Sequence, residues 1–226
     1  MANKIVVVES NVSAPQLSDL FRQIGDGSLN GRHLQAFLEH LNPFSLDGIV
    51  IDWKKVYEVL GIKSEIDNEA LHDPRFWTIP VFESVTPNKV VKALRDLGVD
   101  MYLYTENLDR NVPENDRDPV RDGNYVVKFQ RTIEADPEFK NKSAETLLGE
   151  KIKGITLLER LLLELGYFLV TGNHLDVENV TLCSGSRYSD GHVPRVLWNA
   201  AYREVYVSWL SPSYSSPYLR ARAVVS

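Results

Sequence analysis

Tyr188, Tyr202, Tyr206, Tyr214 and Tyr218 place half of the chain's ten tyrosines in its last forty residues, among Ser189, Ser208, Ser211, Ser213, Ser215 and Ser216. Tyrosine offers a large amphipathic contact at low entropic cost and serine offers adaptable hydrogen bonds, so the mixture suits a recognition surface. The same stretch, Arg187 to Ser226, has no lysine, glutamine, methionine, phenylalanine or isoleucine. Lysine and glutamine are ordinary tenants of a strand that merely faces water, and their absence argues for display rather than simple solvation.

Other chemistries are weakly represented. Cys183-Ser-Gly-Ser-Arg-Tyr-Ser-Asp-Gly191 sets serines beside glycines without nucleophile-elbow spacing, which predicts a turn between strands. His174 and Asp176 lack the i, i+4 spacing that aims two ligands at one metal, so a solvated or capping role is expected. Asp109, Glu114, Asp116, Asp118 and Asp122 offer hard oxygens suited to calcium, but without an EF-hand register and with arginines competing for them. Cys183 is the only cysteine, which rules out an intrachain disulfide and a cysteine-based zinc site. These residues predict a non-catalytic protein without a cofactor or metal.

The net charge of −6 disfavours a general nucleic-acid binder, which needs a basic footprint to displace counterions. From Arg187 onward five arginines face two acids, so the tail is locally basic and an anionic ligand stays open. The opening Met-Ala-Asn-Lys-Ile-Val-Val-Val-Glu has too short an apolar run for a secretory signal, and no later segment is long enough to span a membrane. A cytoplasmic protein with no membrane segment is the expectation.

The elements that must position these residues follow from spacing. Ile5 to Val8 predicts a short strand, and Ser13-Ala-Pro-Gln16 a capping box before Leu17, Leu20, Phe21 and Ile24 at helical intervals. A second helix carrying Leu34, Phe37, Leu38 and Leu41 runs from near Ser28 to Asn42-Pro43, making a helical hairpin and a boundary near residue 45. Asp52 caps a short helix with Trp53, Val56, Tyr57 and Leu60; Thr86-Pro87 opens another with Val90, Val91, Leu94 and Leu97 on one face. Val99, Met101 and Leu103 alternate with Asp100, Tyr102 and Tyr104 as a strand, Thr105 to Asn124 reads as a long polar loop, and Tyr125 to Thr132 as a strand. Thr156 and Glu159 frame a capping box on an apolar core helix ending by Gly172. In the tail, Pro194, Val196 and Trp198 share a parity, as do Val205, Val207 and Trp209, so two strands joined by Asn199 to Glu204 form a hairpin with a third strand at Leu219 to Val225. The fold class is α+β.

The run Val180-Thr-Leu-Cys-Ser-Gly-Ser-Arg187, with Val193-Pro194, Trp198-Asn199, Val207-Ser-Trp209 and Leu219-Arg-Ala-Arg-Ala-Val-Val-Ser226, resembles the C-terminal region of variable proteins of diversity-generating retroelements. Those proteins are similar to the C-type lectin fold in its formylglycine-generating-enzyme-like branch. The likeness covers about residues 80 to 226 and is most specific in the last fifty. The small N-terminal helical segment (1–45) lies outside the likeness, which implies a C-type lectin-like ligand-binding domain, taken here as 46–226, with a variable region at about 187–218. The likeness also implies a ligand, a protein or other macromolecule, contacted by residues diversified at adenines, commonly within AAC codons.

Randomising both adenines of AAC never yields Lys, Glu, Gln, Met or Trp. Tyr188, His192, Arg195, Leu197, Ala200, Ala201, Tyr202, Tyr206, Ser208, Leu210, Ser211, Tyr214, Ser216 and Tyr218 are all reachable and form the expected ligand-binding set; Trp198, Glu204 and Trp209 are not, and are expected to be scaffold. The resemblance also marks departures. The lone Cys183 lacks the partner that copper-dependent oxidase chemistry of the related enzymes would need, and Trp198-Asn199-Ala200 without Glu-Pro-Asn departs from calcium-type sugar sites. Two rivals remain from the residues alone: an enzyme or degenerate enzyme of the same fold, and an adaptor acting through the N-terminal hairpin.

Overall fold

The computed structural model describes residues 13–27, 29, 31–38, 46 and 48–225. The chain divides into two compact units, Met1–Pro43 and Phe44–Ser226. In the first, Ser13 Oγ accepts from Gln16 N and the Gln16 side chain accepts from Ser13 N, opening α1 (Ala14–Gly25) with the capping box read from the sequence. α1 buries none of its side chains, and Leu17, Phe21 and Ile24 of its apolar face are exposed. α2 (Gly31–Leu38) follows. The strand expected at Ile5 to Val8, the side chains of Phe37 and Leu41, and the Asn42-Pro43 stop lie outside the described residues.

In the second unit Asp52 accepts from Lys55 N and opens α3 (Trp53–Val59), which buries Trp53, Val56 and Tyr57. α4 (Asn68–Leu71) leads into β1 (Phe76–Val81). Thr86 caps α5 (Pro87–Asp96), which buries Val90, Val91 and Leu94. Leu97, expected on that face, is instead exposed, because it is the C-cap where the chain turns through Gly98 at φ 85° into β2 (Asp100–Leu103).

Residues 105–124 are not one long loop. They hold α6 (Leu108–Asn111), capped by Asn107, then β3 (Glu114–Asn115) and α7 (Pro119–Asp122), capped by Asp118. The Asp, Asn and Pro that signal a loop also open helices, and short elements in close succession concentrate them. Arg117 fixes the segment to the body: Nε and Nη2 each donate to a Glu159 carboxylate oxygen at 2.7 Å, and Nη2 also donates to Gly154 O. β4 (Tyr125–Gln130) then pairs antiparallel with β1.

After a 3-10 turn at Pro137–Phe139 and α8 (Ala144–Gly149), Thr156 and Glu159 form the expected capping box of α9 (Leu157–Thr171). Gly172, at φ 67°, supplies its left-handed stop. The remaining strands are β5 (Val180–Leu182), β6 (Ser186–Arg187), β7 (Val193–Asn199), β8 (Glu204–Leu210) and β9 (Leu219–Ala221). The five-stranded sheet runs β2-β8-β7-β5-β9; β7 and β8 are the expected hairpin, whereas β2 joins β8, and β9 joins β5, in parallel. The third tail strand is shorter than expected, with Ala223 and Val224 making only isolated bridges to Gly154 and Phe129.

The hairpin follows its parity. Val196, Trp198, Val205 and Val207 enter the main core with Leu158, Leu161, Leu162 and Leu165 of α9, and Trp209 packs half-buried against its edge. Each fully enclosed side chain of this kind is worth about 1.5–3 kcal/mol. A second small core lies elsewhere on the sheet: Leu182, Val193, Leu219 and Ala221 pack with Ala144 and Leu147 of α8. The result is an α+β fold with a mixed sheet clamped to one long helix.

Candidate ligand-binding face

Strand pairing composes the face opposite α9. The register aligns Tyr102 of β2 with Tyr206 of β8 and Leu197 of β7, and aligns Ser208 with Arg195. Tyr102 and Tyr206 stack with ring centroids 4.4 Å apart and planes 4° from parallel. Arg195 Nε donates to Ser208 Oγ at 2.7 Å and its guanidinium lies 5.6 Å from the Tyr206 ring centre. Tyr104, whose N–H donates to Val207 O, stands edge-on to Trp209 at 5.6 Å, and His192 lies 4.0 Å from the same indole. Proximity to Tyr206 raises the Tyr102 phenol above its ordinary value.

The predicted site residues fall into four groups. Arg195, Leu197 and Tyr206 lie half-exposed on this face, with His192 half-buried at its margin. Ala200, Ala201 and Tyr202 are exposed at the hairpin tip, a turn closed by Arg203 in the left-handed region at φ 55°. Ser211, Tyr214, Ser216 and Tyr218 lie on the loop leaving the other end of β8; Tyr214 and Tyr218 are exposed, and Glu145 N of α8 donates to Pro212 O within that loop. Seven residues of β8 separate tip from loop, about 20 Å at strand rise, so the three outward groups form a strip rather than a single patch.

The fourth group corrects the sequence reading. Tyr188 is 4% exposed, turned inward against Tyr104 because its backbone is held in a turn by His192 O, and burial pushes its phenol well up. Ser208 is 6% exposed, since the Arg195 side chain lies over it. Leu210 is partly buried against the second core, because α8 covers that end of the sheet. Reachability by adenine mutagenesis constrains residue type, not placement, and these three have apolar or capped surroundings.

Tyr102 was missed as a member of the face, and Tyr104, just past the end of β2, as an exposed neighbour at its margin. Their alternation with Met101 and Leu103 was legible; what hid their role is that β2 pairs with a strand more than a hundred residues later in the chain. His174 and Asp176 are neither solvated nor merely capping. His174 is stacked on Trp198 at 3.7 Å and on Phe168 at 5.2 Å, with Nδ1 2.7 Å from Glu164 Oε1. Asp176 is fully buried, held at φ 56°, and bridges Arg160 and Arg222 at 2.8 Å each. Arg160 also pairs with Glu164 at 2.7 Å, so two buried cations meet two buried anions. For Glu164, burial pushes its pKa up, but Arg160 and His174 outweigh that and leave it below its ordinary value.

Cys183 is fully buried and burial pushes its thiol well up, the setting of an inert rather than a nucleophilic cysteine. In the acidic segment Asp118 caps α7, Asp122 pairs with Arg121 and Asp109 accepts from Asn88 N. Among the described residues no group of three or more His, Cys, Asp or Glu side chains is arranged to hold a metal, and no helix is long and apolar enough to cross a membrane.

Comparison with protein-family models, with curated proteins and with solved structures found no match.

Proposed function

We propose that the protein is a ligand-binding protein that displays a diversified tyrosine- and serine-rich surface at its C-terminus, on a C-type lectin-like framework of the kind found in variable proteins of diversity-generating retroelements. One observation carries the reading: within one hairpin, Val196, Trp198, Val205 and Val207 hold the main core while Arg195, Leu197, Tyr206 and the tip at Ala200, Ala201 and Tyr202 face outward. Substitution of the outward set leaves the apolar burial of the inward set nearly untouched, so specificity can change while the fold persists. Tyr206, stacked on Tyr102 at the centre, is the expected energetic anchor, with smaller residues shaping its surroundings. The ligand is a protein or other macromolecule, and sister copies would bind different ones.

Two measurements test this. The neighbouring DNA should hold a near-copy of the stretch encoding Tyr188 to Tyr218 that differs at adenines, beside a reverse transcriptase gene; its absence removes the diversification part. A library randomised at Arg195, Leu197, Ala200, Ala201, Tyr202 and Tyr206 should stay protease-resistant in most members, whereas one randomised at Val196, Trp198, Val205 and Val207 should not. Equal loss in both libraries would sink the separation of roles.

A further inference from the structure

On the binding face just proposed, Arg195 engages fewer partners than Arg187 and Arg222, and unlike Arg220, whose Nε is buried without a partner among the described residues, it is anchored through Nε. Arg187 donates to the Ser184 and Ser186 carbonyls, Arg220 to Ala135 O, and Arg222 to Asp176, Thr181 and two carbonyls. Arg195 uses only Nε, on Ser208, and rests on Tyr206; among the described residues no carboxylate pairs with it. Its guanidinium is therefore held in a fixed plane with both Nη groups unengaged, at a half-exposed position beside an aromatic stack. A planar fork of donors matches a carboxylate bidentately, and fixing the side chain beforehand removes much of the entropy such a contact otherwise costs.

We infer that Arg195 is a carboxylate subsite, which takes an Asp or Glu side chain of a protein ligand while Tyr102 and Tyr206 take the neighbouring apolar or aromatic residue. As a single cation, it favours a monoanion over a phosphate dianion. On the same sheet face the register sets Asp100 of β2 beside Glu204 of β8, next to the Tyr102 and Tyr206 row, and Asp190 is exposed near His192. A single guanidinium, on a face whose acids lie further along the strands, balances one negative charge more readily than two. The inference rests on the reading of this face as a ligand surface, and it assigns this copy's partner class: an acidic protein segment carrying an apolar or aromatic neighbour.

The experiment uses the full chain with arginine side-chain Nε and tyrosine ring NMR signals, at constant ionic strength. The probes are acetate, acetamide, inorganic phosphate, and the dipeptides N-acetyl-Tyr-Glu-amide and N-acetyl-Tyr-Gln-amide. Acetate should shift the Arg195 signal saturably, with acetamide inert and Arg203 at the hairpin tip responding only weakly and without saturation. The Glu dipeptide should bind at least about fivefold more tightly than the Gln dipeptide. Arg195→Gln should erase that preference, and Ser208→Ala, which keeps the charge but frees the guanidinium, should weaken it about twofold. An Arg195 signal that ignores acetate, or follows acetamide equally, overturns the subsite. Phosphate binding more tightly than acetate overturns the carboxylate assignment. If both dipeptides move Tyr102 and Tyr206 alike while Arg195 is silent, the subsite fails and the face stands. If acetate saturates Arg195 but neither dipeptide reaches the tyrosines, the subsite stands and the wider reading fails.

Discussion

Arg222 and Arg195 serve the same sheet in opposite ways. Arg222 is fully buried, and with Arg160, Glu164 and Asp176 it forms a neutral set that ties α9, the 174–176 segment, β5 and the C-terminal residues together. Arg195, on the outward side of β7, has a hydroxyl as its one hydrogen-bond partner and a ring beneath its guanidinium among the described residues. Both regions are rich in charge and aromatic rings. One is closed on itself, with hydrogen bonds meeting nearly every polar atom, while the other keeps donors and ring faces unspent. A buried charge needs complete partnering to be tolerated, whereas a recognition surface needs the reverse.

The widest break in this contrast comes from Asp176→Ala. It leaves two buried guanidinium groups without their shared carboxylate and should cost about 3–5 kcal/mol, measured by urea unfolding; a loss under about 1 kcal/mol would show that the cluster is not structural. Trp198→Ala removes the indole that joins His174 to β7 and should cost about 3–5 kcal/mol. Its outward neighbour Leu197→Ala should stay within about 0.5–1 kcal/mol of the parent. Comparable costs at these two positions would erase the two-faced account of the hairpin.

Asp136 sharpens the comparison through pH. Burial raises its carboxyl to about 6, although Asp136 Oδ2 accepts from Ala223 N and Arg222 lies nearby. A folded pKa above the unfolded one means that the stabilising protonated form is fully populated below the unfolded value near 3.8 and is lost as pH rises through about 6. Stability should therefore rise in this group's window as pH falls from about 7 to 5, against the general acid trend. Asp136→Asn should remove that component and leave the protein more stable near pH 7; an unchanged pH profile would refute the assignment. The smallest effect concerns Cys183, which should resist thiol reagents in the folded chain and react only after denaturation. Rapid labelling of the native protein would mean that the core around it opens readily.

Much of the fold was legible because it is written in local chemistry. The capping boxes at Ser13 and Thr156, the Asp52 and Thr86 caps and the β7–β8 hairpin all depend on residues within a few positions of one another, and each forms where the spacing predicts. The candidate site was legible only by parity. Alternation places Arg195, Leu197 and Tyr206 on one side, but it carries no information on what lies over each position. Ser208 shares that parity and is covered by Arg195; Leu210 shares it and is covered by α8.

By itself the sequence determined which side chains of the tail point together and where most helices begin, since those follow from backbone geometry and nearby hydrogen-bonding groups. Tertiary structure alone decided that β2 brings Tyr102 onto Tyr206, that Tyr188 turns inward, and that Asp176 joins two arginines from distant segments. Those outcomes depend on long-range pairing and on which surfaces lose water, and no short-range pattern records either.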